Sequence, residues 1–245
     1  MSSNVGRALQ EGIVRTVEPN GRLFVVVMTV TSAPNVLTYR SAVASVIPAP
    51  PDRRIAVFGP ALPISPLVAG AAIVFLYIAS FVVTAAALRT FVTDETGTIL
   101  REYVTRNLGW FLVNYVVGYV VFLVAVWIGA ILLVVPGIFL LVSRYFWFVL
   151  VAVEDQNFVE AFRNSWALAK GNWWQLAGLR LIVLVVGAIL YGVLFALAFV
   201  TSPWITLFVF AVVVAAFGVF SLATTARAYV QLEGGRSTGE RAAPT

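Results

Sequence analysis

Long apolar runs alternate along the chain with short polar stretches rich in arginine. Five runs stand out, at about 67–92, 108–135, 137–153, 173–200 and 204–226. Each reaches or nears the ~20 residues a helix needs to cross about 30 Å of hydrocarbon, the third being the shortest. Pro136-Gly137 separates the second run from the third, and Thr201-Ser202-Pro203 separates the fourth from the fifth. Both fit tight turns outside the membrane. A weaker sixth run, 23–47, carries Thr29, Thr31, Pro34, Asn35 and Arg40. The pattern predicts an all-α, polytopic membrane bundle of six transmembrane helices in three hairpins. A single integral membrane domain would occupy 1–232, leaving 233–245 as a flexible cytoplasmic tail.

The polar stretches have a pattern of their own. Before each odd-numbered span lies a short amphipathic segment ending in a turn that sets a basic residue, Asn and Gly beside large apolar residues. These turns are Glu18-Pro19-Asn20-Gly21-Arg22-Leu23-Phe24, Arg106-Asn107-Leu108-Gly109-Trp110 and Lys170-Gly171-Asn172-Trp173-Trp174. Cations face headgroups, Asn and Gly turn the chain, and aromatics join the interfacial belt. In the third segment Asn157 and Glu160 form a capping box, and Phe158, Phe162, Trp166 and Ala169 share one face. It predicts a helix lying on the cytoplasmic leaflet, with Trp166, Lys170, Trp173 and Trp174 as interfacial residues. Val5, Leu9, Ile13 and Val17 predict a similar helix at the N-terminus. Even-numbered spans each carry an arginine followed two residues on by an aromatic, then an acid: Arg89/Phe91/Asp94, Arg144/Phe146/Glu154 and Arg227/Tyr229/Glu233. Three repeats of interfacial helix plus hairpin account for both marks.

Composition agrees with the hydropathy. Hydrophobic residues make up 61% of the 245-residue chain and charged residues 11%, against about 45–50% and 25% in soluble domains. Bilayer, not water, is the solvent such a chain requires. Soluble enzymes, nucleic-acid modules and disordered proteins are excluded together. With no Cys and no His, disulfides, thiolate zinc sites and imidazole bases go too, and no metal or cofactor is expected. The net charge of +5 belongs to membrane topology rather than to a nucleic-acid partner. Six spans put thirteen of the sixteen basic residues on the side of the termini, leaving Arg40, Arg53 and Arg54 opposite. The positive-inside bias then makes both termini cytoplasmic in a cell membrane. Reading 23–30 as a signal-peptide core cleaved after Ala42-Val43-Ala44 fits less well, because about 22 residues precede it. Only one of the basic residues is lysine, which suggests a GC-rich prokaryotic source.

Arg144 is the sharpest single residue. Nine residues before Val153, it would lie about 14 Å from the cytoplasmic end. Intramembrane arginines usually have a partner or a function. Asn114, Tyr115 and Tyr119 offer oxygens, and a lipid phosphate is the other acceptor. Arg180, about 10 Å into the fifth span, and Arg89 and Arg227, nearer the surface, extend this to a basic cytoplasmic-side cavity. Snorkelling and positive-inside anchoring are the plainer readings of these three. Glu154-Asp155 suits a span end paired with Arg163 or Lys170 better than a divalent cation site. Ser165 and Thr224-Thr225 have no base nearby in sequence. Ala188, Gly192 and Ala196 form a small-residue stripe suited to a close helix contact, within the chain or between chains.

From Pro136 to Trp174 the chain resembles a known family. Pro136-Gly137-Ile138-Phe139, Arg144, Glu160-Ala161-Phe162-Arg163-Asn164-Ser165-Trp166 and Lys170-Gly171-Asn172-Trp173-Trp174 are similar to the membrane domain associated with glycerophosphoryl diester phosphodiesterases and to its stand-alone six-span prokaryotic relatives. The resemblance implies a fold and a lipid neighbourhood. It implies no activity, since the hydrolytic barrel of the enzyme-linked members has no counterpart here. The expected function is non-enzymatic engagement of anionic membrane lipid, or of a membrane partner or second copy, through the basic cavity. The alternative is a small transporter or channel for an anionic or amphiphilic solute.

Overall fold

A computed structural model describes residues 4–46, 60–93, 101–132 and 145–241. Every regular element among them is an α-helix. In chain order these are α1 (Val5–Val17), α2 (Pro19–Val46), α3 (Pro66–Val92), α4 (Arg101–Thr105), α5 (Leu108–Leu132), α6 (Trp147–Val153), α7 (Phe158–Ala169), α8 (Trp173–Leu197) and α9 (Pro203–Arg241). Five are long and apolar enough to cross a membrane: Pro19–Ser45, Pro66–Val92, Leu108–Gly129, Trp173–Leu197 and Pro203–Gly235. Their outward faces are apolar: Leu67, Phe75, Trp127, Ile189 and Phe208 are all exposed. Water would penalise such a belt and lipid accepts it.

The fourth expected span is described only from Tyr145 on. Pro136-Gly137 and Arg144 lie outside the described residues. From Tyr145 the chain makes a turn through Phe146 and then the seven-residue α6. Trp147, Val149, Leu150, Val151 and Ala152 are all buried. α6 is a core element because α3, α5 and α7 pack around it. The turn at Phe146 is held by a buried partner: its N–H donates to Ser165 Oγ at 3.0 Å. At the other end of the chain, α9 runs on through Gly234-Gly235 to Arg241, beyond the apolar run that ends at about 226. At 39 residues it is about 58 Å long, longer than any bilayer core.

α2 and α3 pack antiparallel. Phe24 meets Phe91 edge-on at 5.6 Å, and at their other ends the Leu62 N–H donates to Ser41 Oγ at 2.8 Å. Pro34 interrupts the α2 hydrogen-bond ladder, and hydroxyls bond back to its carbonyls: Thr29 to Val25, Thr31 to Val27 and Met28, Ser32 to Thr29. Such bonds give the hydroxyls acceptors where water is absent. α9 packs on both α2 and α3. α8 sits at the rim, touching α9 through Gly187, where a Cβ would meet the Phe217 ring at 2.9 Å, and through Tyr191 against Phe210 at 6.0 Å. The Ala188-Gly192-Ala196 stripe faces outward.

The short amphipathic helices form as the sequence indicates. Asn4 and Asn157 cap α1 and α7 by accepting from Arg7 N and Glu160 N. Gly171, with φ +89°, ends α7 in the left-handed conformation that glycine adopts most easily. Each short helix docks on another helix: α1 on α9, α4 on α3 and α7 on α6. The three contacts gather at one end of the bundle.

Candidate functional site

The interfacial end is organised around one carboxylate. Asp155 follows α6 in a left-handed backbone conformation, φ 54°. Its Oδ2 accepts from Arg106 Nη2 at 2.6 Å, Arg106 Nε at 2.8 Å and Asn107 Nδ2 at 3.0 Å. Its Oδ1 accepts from Arg89 Nη2 at 3.3 Å, and its backbone oxygen from Trp110 Nε1 at 3.0 Å. The partners expected for this acid, Arg163 and Lys170, are replaced by two arginines about 50 and 65 residues away in sequence. Neighbouring Glu154 accepts from the Tyr229 hydroxyl and from Gln156. With both Asp155 oxygens in charge-assisted bonds to cations, little remains to attract a metal ion.

Arg89 is the buried member, with its side chain 3% exposed. Its Nε donates to Ala152 O at 2.5 Å, and its Nη1 to Tyr103 O at 2.9 Å and Arg106 O at 3.0 Å. The guanidinium also lies 6.0 Å from the centre of the Phe111 ring. One side chain thus joins α3, α4 and the end of α6, and it donates to the carbonyls of Tyr103 and Arg106, which the short α4 leaves unpaired. Arginine suits this because its planar fork carries five donors.

The other expected site residues divide between structure and cavity. Arg227 Nε donates to Glu11 Oε2 of α1 at 2.8 Å. Asn114 is buried, donating to Trp110 O and accepting from Phe158 N at the start of α7. Both side chains tie one helix to another, and Arg227 also borders a surface recess with Arg7, Arg15 and Glu18. Trp166 and Trp173 pair edge-to-face at 5.2 Å, while Lys170 and Trp174 are exposed beside them. Arg144 lies outside the described residues.

Arg180 is different. It borders a cavity of about 230 Å³ together with Tyr115, Tyr119, Tyr145, Trp147 and Leu222. Its guanidinium sits over the Tyr145 ring at 5.6 Å, and its Nε is buried without a hydrogen-bond acceptor among the described residues. The Tyr145 hydroxyl is held by Thr225 Oγ1 at 2.9 Å. The aromatic wall continues as a chain of ring contacts, Tyr115 on Trp147 at 5.4 Å and Trp147 on Phe162 at 5.2 Å. What results is a rigid, mostly aromatic recess with one cation, near the interfacial end of the bundle.

Sequence reading missed the Asp155 hub. The signal was there in the basic residue and Asn that recur in the interfacial turns and in the acid after each even-numbered run, but nothing local says which acid meets which turn.

A family model described as a domain of unknown function, DUF7847, matches residues 4–232. The chain belongs to that family. The match spans every helix that builds the Asp155 hub and the Arg180 cavity, so both are parts of the family's domain rather than additions to it. No curated protein and no solved structure matches the chain.

Proposed function

We propose that the protein is a non-enzymatic membrane protein that holds an anionic lipid headgroup in the Arg180 recess. Its frame is six spans in three hairpins, each led by an interfacial helix, with both termini cytoplasmic. The observation carrying the reading is the Arg180 guanidinium, over the Tyr145 ring and beside an open recess, with its Nε lacking an acceptor. Intramembrane cations are retained for partners, and phosphate is the acceptor that guanidinium fits bidentately. Arg89, Arg227 and Asn114 serve a different purpose, fixing the helices that wall the recess. The docking of α1 on α9, α4 on α3 and α7 on α6 supports the threefold arrangement. The resemblance of 136–174 to the phosphodiesterase-associated membrane domain points to the same lipid neighbourhood.

The test is lipid retention. Native mass spectrometry of the purified protein should find phosphatidylglycerol bound in preference to phosphatidylcholine. Arg180→Gln should weaken that binding about 10- to 100-fold, the equivalent of one charged hydrogen-bond contact, with the helix content unchanged. Equal retention by Arg180→Gln and the parent would remove the recess as the site. Transport of a labelled anion by reconstituted vesicles, abolished by the same substitution, would favour the channel or transporter reading instead.

A further inference from the structure

A second polar recess lies at the opposite end of the bundle, between α2, α3 and α9. Its volume is about 420 Å³, and its polar lining is Ser32, Asn35, Tyr39, Arg40, Tyr77 and Ser80. The close approach of Leu62 to Ser41 fixes its level. Asn35 lies about 9 Å inward from Ser41 along α2, and Tyr77 about 16 Å along α3 from Pro66. The recess therefore occupies the half of the bundle away from the interfacial helices and shares no lining residue with the Arg180 recess.

Three features suit it to a phosphate headgroup. First, Asn35, Tyr39 and Tyr77 bring an amide and two hydroxyls that make no hydrogen bond to a described residue. Polar groups at membrane depth are costly to leave unmet and so mark binding sites. Second, among the described lining residues none is acidic. An ammonium-bearing headgroup would find no countercharge there. Third, Tyr39 and Tyr77 are 60% and 49% exposed, and Val74, one turn before Tyr77 on α3, is exposed as well. The recess thus opens sideways toward hydrocarbon, with Val36, Phe210 and Val214 as its apolar wall. An amphiphile could enter laterally, its head among the donors and its chains outside. Pro34, inside α2, immediately precedes Asn35.

We propose that this recess is a second, separate site, which binds the phosphate headgroup of an anionic phospholipid in the half of the membrane opposite the interfacial helices. Photoactivatable phosphatidylglycerol, added to the full-length protein in vesicles, should label peptides of α2 and α3 around 32–40 and 77–80. Tyr77→Phe with Asn35→Leu should reduce that labelling about tenfold, as expected for losing one to two hydrogen bonds at the headgroup. Arg180→Gln should leave it unchanged, which separates this site from the other recess. Tyr77→Phe alone removes one hydroxyl without changing shape, and it carries the test if the double variant does not fold. Equal labelling by a diacylglycerol probe without phosphate would overturn the proposal. So would full competition by millimolar inorganic phosphate, which would make the occupant a free anion, or undiminished labelling of the folded variants.

Discussion

Replacing Arg89 by Leu separates two roles for an arginine in a membrane helix. If Arg89 anchored a lipid or merely snorkelled, leucine would relieve the cost of a charge in the membrane, about 2.5–3.5 kcal/mol on insertion scales. Stability would hold or rise. The observed contacts require the reverse. Arg89→Leu strands the carbonyls of Ala152, Tyr103 and Arg106 and takes one of two cations from Asp155. Removing one partner from a buried ion pair typically costs about 3–5 kcal/mol, because the group left behind stays desolvated. Arg106 remains on Asp155, which softens the electrostatic share but not the three lost carbonyl bonds. On the soluble-domain scaling of about 2–4 °C per kcal/mol for chains of this length, the melting temperature should fall by roughly 6–20 °C. Thermal unfolding in detergent followed by tryptophan fluorescence measures this. A double variant with Asp155→Asn should recover part of the loss, with a coupling of about 0.5–3 kcal/mol. An unchanged melting temperature for Arg89→Leu would refute the clamp, and lipid loss without destabilisation would make Arg89 a ligand.

Three further substitutions test the frame. Gly12→Leu should undock α1 from α9, because even a Cβ there would lie 2.1 Å from Thr224 Oγ1; a cysteine placed at buried Ala8 should then change from protected to thiol-reactive, and continued protection would count against the docking. Gly171→Ala should cost about 1–2 kcal/mol through its left-handed φ, read as a lower melting temperature with the circular dichroism of the folded protein unchanged. Single cysteines at Arg53, Arg163 and Arg236 in this cysteine-free chain should report topology. An impermeant reagent should label position 53 in intact cells and the other two only after permeabilisation, and the reverse labelling would invert the assignment.

Membrane character and the main helices were legible in the sequence by itself. Five long helices begin or end within a few residues of the apolar runs, because a helix crossing hydrocarbon must be apolar over nearly its whole length. The caps at Asn4 and Asn157 and the stop at Gly171 were legible for a related reason: they satisfy backbone groups within a few residues of themselves. Tertiary structure decided the rest. The apolar run before Glu154 reads the same whether it faces lipid or protein, since both are hydrocarbon. Only the packing of α3, α5 and α7 around α6, and the Ser165 hydroxyl meeting Phe146 N, make its end a short buried helix. The arginines posed the same ambiguity, because a guanidinium can serve a phosphate, a carboxylate or a carbonyl with the same donors. Position in the sequence could not separate Arg89, closed in a clamp by residues from α4, α6 and Asp155, from Arg180, left beside an open recess. That distinction depends on which acceptors the folded chain brings within about 3 Å, and most of them are distant in sequence.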